Sequence, residues 1–340
     1  MLWDKEIVVR SGAGYRDNVL LSSEQVMGRP FFTVGLDLSI LRFPLDGWQV
    51  GFAVTGDDIR YFRPAAGVNG EDLALVSLQV QKYFGGHWRF GCQTKYTYTD
   101  QVLQEVVGSG GVQAVQAQGS TFVMAPFVRR DLGTNWWIQF GLPVSRDWWQ
   151  SPLDDYWKYG AEVVLGCAYA RHSQVVLTMG AFYISHDSWL ARDNTGGEIP
   201  GEKLDVWSEL VELKWGHPWD QAGRWTSALK IGFSHDEDTA SGYFDYDRLF
   251  GLAELRFHTS AWEIKASSTL AGYYFPVQTA VTIDNPHLLL ATVDSSIRAE
   301  RLLFRGLHVF ASFEHEQAFS NDPTSEFRNN VVSGGVSWAF

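Results

Sequence analysis

Three consecutive residues, His186, Asp187 and Ser188, carry the side-chain types of a nucleophilic triad. Such a triad works only when imidazole, carboxylate and hydroxyl converge within hydrogen-bond reach. Neighbours on a strand point to opposite faces, so these three cannot converge by themselves. The nine histidines are scattered without a metal-ligand spacing such as HExxH. No catalytic centre, metal or cofactor is expected, and the chain reads as a non-enzyme. Two cysteines cannot build a disulfide framework. Cys92 and Cys167 fall in apolar phase beside Phe90 and Leu165, on strands that are not neighbours, and read as small lipid-facing residues.

The remaining ionisable residues recur on one face of alternating segments. Cationic candidates are Arg10, Arg89, Lys95, Arg129, Lys214, Lys230, Arg256, Lys265 and Arg298. Anionic ones are Asp37, Glu162, Glu212, Glu254, Glu263, Asp294, Glu300, Glu314 and Glu316. Their chemistry is that of a water-filled passage, which hydrates such charges and selects by their field, or of a closed interior that pairs them into a network. Glu254 and Arg256 are expected to meet Lys265 and Glu263 across neighbouring strands.

The elements that must position them have period two. Trp262, Ile264, Ala266 and Leu270 oppose Glu263, Lys265, Ser267 and Thr269; Leu307, Val309, Ala311 and Phe313 oppose His308, Phe310, Ser312 and Glu314. A soluble sandwich also alternates, but its strands usually run about 5–6 residues. These segments run about 10–15, and a transmembrane strand needs about 9–11. One face is almost uniformly apolar and the other small or charged, as in a barrel with lipid outside and water inside.

Strands are predicted at 5–20, 31–43, 48–62, 73–84, 87–99, 119–131, 136–148, 157–170, 174–187, 203–216, 225–236, 244–258, 261–275, 288–304, 307–319 and 327–340. Short connections, such as Gly85-Gly86, Gly133-Thr134-Asn135, Arg171-His172-Ser173 and Arg305-Gly306, alternate with longer ones at 21–30, 63–72, 100–118, 149–156, 188–202, 237–243, 276–287 and 320–326. Trp48, Trp88, Trp136, Trp225, Trp262 and Trp338 lie beside short turns or the C-terminus, with Phe84, Trp215, Phe257 and Phe304 on the partner strands, and form one aromatic girdle. Tyr15, Phe62, Tyr96, Tyr98, Trp148, Trp149, Trp157, Tyr183, Trp189, Tyr273, Tyr274 and Phe319 are assigned to a second, toward the long loops. A carbohydrate-binding protein would also be rich in tryptophan, but would not place one at almost every short turn.

At its end the chain resembles Gram-negative outer-membrane β-barrels, porin-like and about sixteen-stranded: Phe340 is terminal, and Trp338, Val336 and Val332 precede it on one face. The resemblance implies that Val336, Trp338 and Phe340 form the signal read by the barrel-assembly machinery. It also implies short periplasmic turns, longer extracellular loops and both termini in the periplasm. Gly14-Tyr15-Arg16-Asp17-Asn18-Val19 is similar to the opening strand of barrels that follow periplasmic helical-repeat domains in export systems.

Three local features carry their own expectations. Pro126 and Pro143 sit inside adjacent predicted strands, where a missing donor predicts a bulge. The loop 100–118, with Gly108-Ser109-Gly110-Gly111 and only Asp100 and Glu105 as acids, occupies the place of the porin loop that folds inward. It either folds inward or stands outside as a mobile loop. Acidic residues at Asp57-Asp58, Glu71-Asp72, Asp154-Asp155, Asp236-Glu237-Asp238, Asp245 and Asp247 are read as solvated loop tips. The functional alternatives are a cation-attracting vestibule and carboxylates holding Ca²⁺ between lipopolysaccharides.

The whole-chain figures agree with this reading. Against 39 acidic residues stand 27 basic ones, a net charge of −12, which argues against a nucleic-acid partner. Mean hydropathy is slightly negative because each spanning strand is half water-facing. No apolar run approaches the ~20 residues of a membrane helix. Met1–Glu6 contain no secretory signal, so the chain is either cytosolic or begins after a removed leader or an upstream domain. The expectation is a single all-β domain over 1–340, an antiparallel up-and-down transmembrane barrel of about sixteen strands. Its expected partners are outer-membrane lipid, lipopolysaccharide and the assembly machinery, with a homo-oligomer or periplasmic partner besides. The expected function is passive passage of small hydrophilic solutes with a preference for cations; the alternatives are the outlet of an export system and a plugged structural or receptor barrel.

Overall fold

A computed structural model describes residues 2–106, 112–170, 172–280, 284 and 286–340. The strands are β1 (Trp3–Arg16), β2 (Arg29–Arg42), β3 (Trp48–Ala65), β4 (Val68–Phe84), β5 (Trp88–Val106) and β6 (Val112–Asp131). They continue with β7 (Trp136–Gly141), β8 (Val144–Trp149), β9 (Tyr156–Ala170), β10 (Ser173–Arg192), β11 (Glu198–Pro218) and β12 (Trp225–Asp238). The last are β13 (Tyr246–His258), β14 (Trp262–Thr279), β15 (His287–Phe304), β16 (Leu307–Ser320) and β17 (Phe327–Ala339), with a one-turn 3₁₀ helix, η1 (Pro323–Ser325), before β17.

Consecutive strands other than β7 and β8 pair antiparallel, and β17 pairs antiparallel with β1, so the sheet closes. β7 and β8 lie end to end between β6 and β9 and make one stave. The fold is therefore an all-β, closed antiparallel barrel of sixteen staves. An even number is what lets the first and last staves meet antiparallel.

The break between β7 and β8 has a specific cause. Leu142 N–H donates to Pro126 O (3.0 Å) and Gly160 N–H to Pro143 O (3.1 Å), but neither proline has an N–H to return. The stave loses one donor on each side at the same height. The expected bulge is absent: Phe127 faces Gly141 and Met124 faces Val144, so no residue is inserted. The prolines interrupt the ladder without shifting its register.

The two ends of the barrel differ. At the short-turn end, Gly85 and Gly86 both take positive φ (56° and 75°) in the three-residue hairpin Gly85–His87 that joins β4 to β5. Of the predicted turn at 171–173, Arg171 lies outside the described residues. At the other end several predicted loops are strand. β3 and β4 run on to a two-residue turn, Ala66-Gly67, through the predicted loop 63–72. β5 and β6 continue pairing from Asp100–Gln118 to Val106–Val112 through the predicted loop 100–118, with 107–111 outside the described residues. The staves thus overrun the membrane length from which the loop boundaries were read.

The outward face carries Val9, Leu36, Phe140, Leu213, Leu229, Ile231, Leu270, Ile297 and Val336, all exposed. A continuous apolar belt of this extent is far larger than a water-soluble monomer shows and is the surface that bilayer hydrocarbon covers. Among the described residues no helix is long and apolar enough to cross a membrane. Cys92 and Cys167 lie on β5 and β9, with two staves between them, and both are free.

The girdle at the short-turn end consists of exposed rings at Trp48, Trp88, Trp136, Trp225, Trp262 and Trp338. The second girdle needs correction. Tyr15, Phe62, Tyr96, Trp148, Trp157, Tyr274 and Phe319 are exposed. Trp149, Trp189 and Tyr273 instead point inward, Trp149 and Trp189 lining an interior cavity and Tyr273 packing against buried Phe275. Adjacent residues on a strand cannot share a face, so Trp148 with Trp149, and Tyr273 with Tyr274, had to divide.

Candidate functional site

Contacts that skip a stave identify the concave face. Arg10 on β1 pairs with Asp37 on β2 and also reaches Asp57 on β3 at 3.0 Å. Arg16 on β1 pairs with Glu71 on β4, and Ser337 on β17 donates to Glu300 on β15. By alternation, every ionisable residue singled out from the sequence shares this face with them.

The structure brings most of these residues into pairs near the short-turn end. Arg89 and Arg129 share the Asp131 carboxylate at 2.9 and 3.2 Å. Glu212 sits between Lys230 (3.3 Å) and Lys214 (3.7 Å), with Glu162 within its electrostatic reach. Lys265 Nζ lies 3.0 Å from Glu254, and Arg256 lies 2.8 Å from Glu263. Arg298 pairs with Glu300 at 3.2 Å, and His308 stands 3.7 Å from the same carboxylate. Glu316 accepts from Asn329 at 2.7 Å. Asp294, Glu314 and Lys95 make no ion pair among the described residues. Rows of hydroxyls continue the polar lining, with Ser267 to Ser296 at 2.8 Å and Ser312 to Ser333 at 2.6 Å.

Aromatic rings on the same face were not anticipated as functional parts. Phe182, Phe250 and Phe310 lie buried against the wall, each capped by a cation: Lys158 at 4.6 Å, Arg248 at 4.7 Å and Arg298 at 3.9 Å from the ring centroids. The rings lie flat because the neighbouring strand offers glycine. A Cβ on Gly232, opposite Phe250, would overlap its ring, and one on Gly160, opposite Phe182, would sit 2.7 Å from it. The sequence signal is a glycine and an aromatic in the polar phase of adjacent strands; their pairing comes from the register. The cation–π contact holds each charge against the wall rather than across the lumen.

Toward the long-loop end the interior changes character. One buried cluster joins Phe31, Tyr61, Ala65, Val68 and Val102 on β2–β5 to Phe275, Leu288, Leu290, Ala318, Phe327 and Val331 on β14–β17. Val19 and Leu21, from the loop 17–28, complete it. Walls that lie far apart around the barrel are thus bridged by apolar side chains. The β5–β6 hairpin takes part through Val102, and β6 touches η1 on the far side. The loop expected at 100–118 is accordingly a paired hairpin leaning over the mouth. Within the cluster, Arg16 donates to Tyr61 Oη (3.2 Å) and pairs with Glu71, and Tyr61 donates to Glu71 at 2.6 Å. Glu71, at 3% exposure, would otherwise be an isolated buried charge.

Most of the acidic residues read as solvated loop tips lie in strands, and four of the eleven are buried. Asp57, Asp58, Glu71, Asp72 and Asp236 lie within strands, and Glu71, Asp154, Asp236 and Asp238 are buried. Asp154 accepts from Ser188 N (2.9 Å), Trp189 N (2.8 Å) and Ser188 Oγ (2.5 Å). Asp238 accepts from the amides of Ala240, Gly242 and Phe244 at 2.8–2.9 Å. They organise the connections, as short carboxylates do wherever free amides cluster. Asp187 instead pairs outward with Arg146 at 2.5 Å, while His186 Nδ1 lies 3.5 Å from Asp154, the carboxylate that Ser188 also contacts. Among the described residues no group of three or more His, Cys, Asp or Glu could hold a metal ion.

At the C-terminus Trp338 faces outward and stacks on Phe340, with centroids 5.6 Å apart and planes at 4°. Phe340 N donates to Ile7 O at 2.9 Å, fastening the end of the chain to β1.

No family model and no curated protein matches the chain. Solved structures do. An anion-selective porin from Comamonas acidovorans covers 99% of this chain and 99% of its own, at 10% identity and a TM-score of 0.52. Acinetobacter baumannii OccAB1 covers 99% and 97%, at 8% identity and a TM-score of 0.50. A bacterial polysaccharide outer membrane secretin covers 99% and 98%, at 9% identity and a TM-score of 0.46. At these identities the porins establish the fold, a barrel of porin type.

Proposed function

We propose that this barrel is a bacterial outer-membrane channel for passive passage of small hydrophilic solutes, and that it performs no catalysis. The observation that carries the proposal is the polar half of the lumen, where ion pairs and hydroxyl rows line a sixteen-stave wall. Sixteen-stranded porins of this geometry enclose an aqueous passage. In this reading the eighteen ionisable residues above are pore-lining. The short turns and both termini face the periplasm, and the extended hairpins face outward. Outer-membrane lipid and lipopolysaccharide surround the apolar belt, and Val336, Trp338 and Phe340 serve the assembly machinery.

The apolar bridge across the long-loop half favours a second reading, a barrel plugged at its outer mouth. Planar-bilayer recording of the purified protein separates the two. Stepwise ohmic conductance with cation preference is expected for the channel. Silence at every voltage overturns it in favour of the plug.

A further inference from the structure

At the long-loop end, between β8 and β14, lies a cavity of about 270 Å³ apart from the ion-paired lumen. We propose that it is a subsite for a neutral saccharide of one or two rings. The inference rests on the channel reading in one respect: solutes must reach the outer mouth.

The walls are aromatic. His186 stacks on Trp189 with centroids 5.0 Å apart and planes at 10°, and the Tyr156 ring lies tilted 5.2 Å from His186. Trp149 and Tyr246 line the same space. A β-bulge in β10, between Ser185 and Leu190, is what lets His186 and Trp189, three residues apart, face one cavity. Flat rings of this kind offer apolar area with polar edges, the complement of a pyranose, which has a C–H face and hydroxyls around its rim. The volume falls just below the roughly 300–1,000 Å³ of drug-sized sites, which sets the size limit.

Two of its lining groups, Asp236 through Oδ1 and His186 through Nδ1, have a buried atom with no hydrogen-bond partner among the described residues. Asp236 is 7% exposed and its Oδ1 accepts no hydrogen bond among the described residues. A buried carboxylate oxygen without a donor is costly, and a ligand hydroxyl would relieve it. The charge itself is already countered, since Lys158 lies within electrostatic reach of Asp236. The site lacks a hydrogen-bond donor rather than a counterion, which favours a neutral polyol over an organic cation.

The test is calorimetric titration of the purified, folded barrel in detergent with glucose, maltose and choline chloride, alongside bilayer recording. Saccharide binding is expected, weakened about tenfold in Asp236→Ala by loss of a hydrogen bond to a charged group. Asp236→Asn, which keeps an acceptor, should retain part of it. Heat-modifiable gel mobility reports folding, and Trp149→Leu carries the test if Asp236→Ala does not fold. Binding of choline in place of sugar, or of neither, overturns the proposal. Conductance without sugar binding removes the subsite and leaves the channel; sugar binding without conductance does the reverse.

Discussion

The two halves of the lumen are built from the same staves by the same alternation, yet they solve opposite problems. Along β14 the inward positions read Lys265, Ser267, Thr269, Ala271, Tyr273 and Phe275 toward the long-loop end. Along β17 in the opposite chain direction they read Ser337, Gly335, Ser333, Val331, Asn329 and Phe327. Near the short turns, Lys265 and Glu263 keep 51% and 40% of their side-chain surface in water. Near the long loops, Phe275 and Phe327 are buried in one cluster with residues of β2–β5. Where the staves stand inside the bilayer, lipid stabilises the outer face and the interior can stay wet. Where they overrun it, water bathes the outer face, and the projecting hairpins need an interior core as a soluble sheet does. A single barrel thus carries a membrane protein at one end and a small water-soluble fold at the other.

That contrast breaks most visibly at Phe275. Phe275→Ala removes a fully buried ring that packs on Tyr246 and Tyr273, and should cost about 3–5 kcal/mol. Urea unfolding from detergent measures the loss. In recording, the same variant should raise conductance as the outer half loosens. Full stability with unchanged current would mean that the apolar bridge is no core.

Asp154 gives the next largest effect and a pH signature. Burial opposes its ionisation, but the Ser188 hydroxyl and the Trp189 and Ser188 amides outweigh it and hold the carboxyl below its usual range. A folded-state value below the unfolded one, about 3.9, contributes stability above pH ~4 that disappears as pH falls through the lower value. Asp154→Asn should cost about 1–3 kcal/mol at neutral pH and abolish that acid sensitivity. Protease nicking at 150–155 followed from pH 6 to pH 3 reads both, and a loop that loosens equally in the wild type and the variant sinks the assignment.

Much of this architecture was legible beforehand. Period two, aromatic punctuation and paired turn signals placed every stave, and strict alternation assigned lumen charges such as Arg10 and Glu316 to one face. The errors came from applying the rule unevenly. Asp57 and Glu71 were read as loop because acids cluster in loops, although both continue the inward phase of β3 and β4. Trp149 and Tyr273 were assigned to a girdle by proximity, although each follows or precedes an outward ring. What alternation could not supply was register between staves. Gly232 beneath Phe250, the bridge from Arg10 to Asp57, and the cluster across the mouth depend on which residues face each other through the closed sheet. The missing donors of Pro126 and Pro143 predict a bulge, but neither side of the stave shifts register. Pro126 and Pro143 act at one height on the two sides of a stave, and the pair interrupts it without displacement.

The smallest expected change in stability is at the ion pair of Glu254 and Lys265, and there the comparison is sharpest. The pair spans 3.0 Å, with side chains 32% and 51% exposed. Screening by water leaves such a pair worth about 0–1 kcal/mol, so Glu254→Gln and Lys265→Gln should barely move the unfolding midpoint. Their effect belongs in the field along the passage. Glu254→Gln should shift the reversal potential under a KCl gradient toward anions, and Lys265→Gln toward cations. Both shifts should shrink in 1 M salt, where the screening length is about 3 Å. An unfolding loss as large as that of Phe275→Ala, with no change in reversal potential, would show that the polar half is a packed network too. The two halves would then be one plug differing only in chemistry, and the wet passage would have to be abandoned.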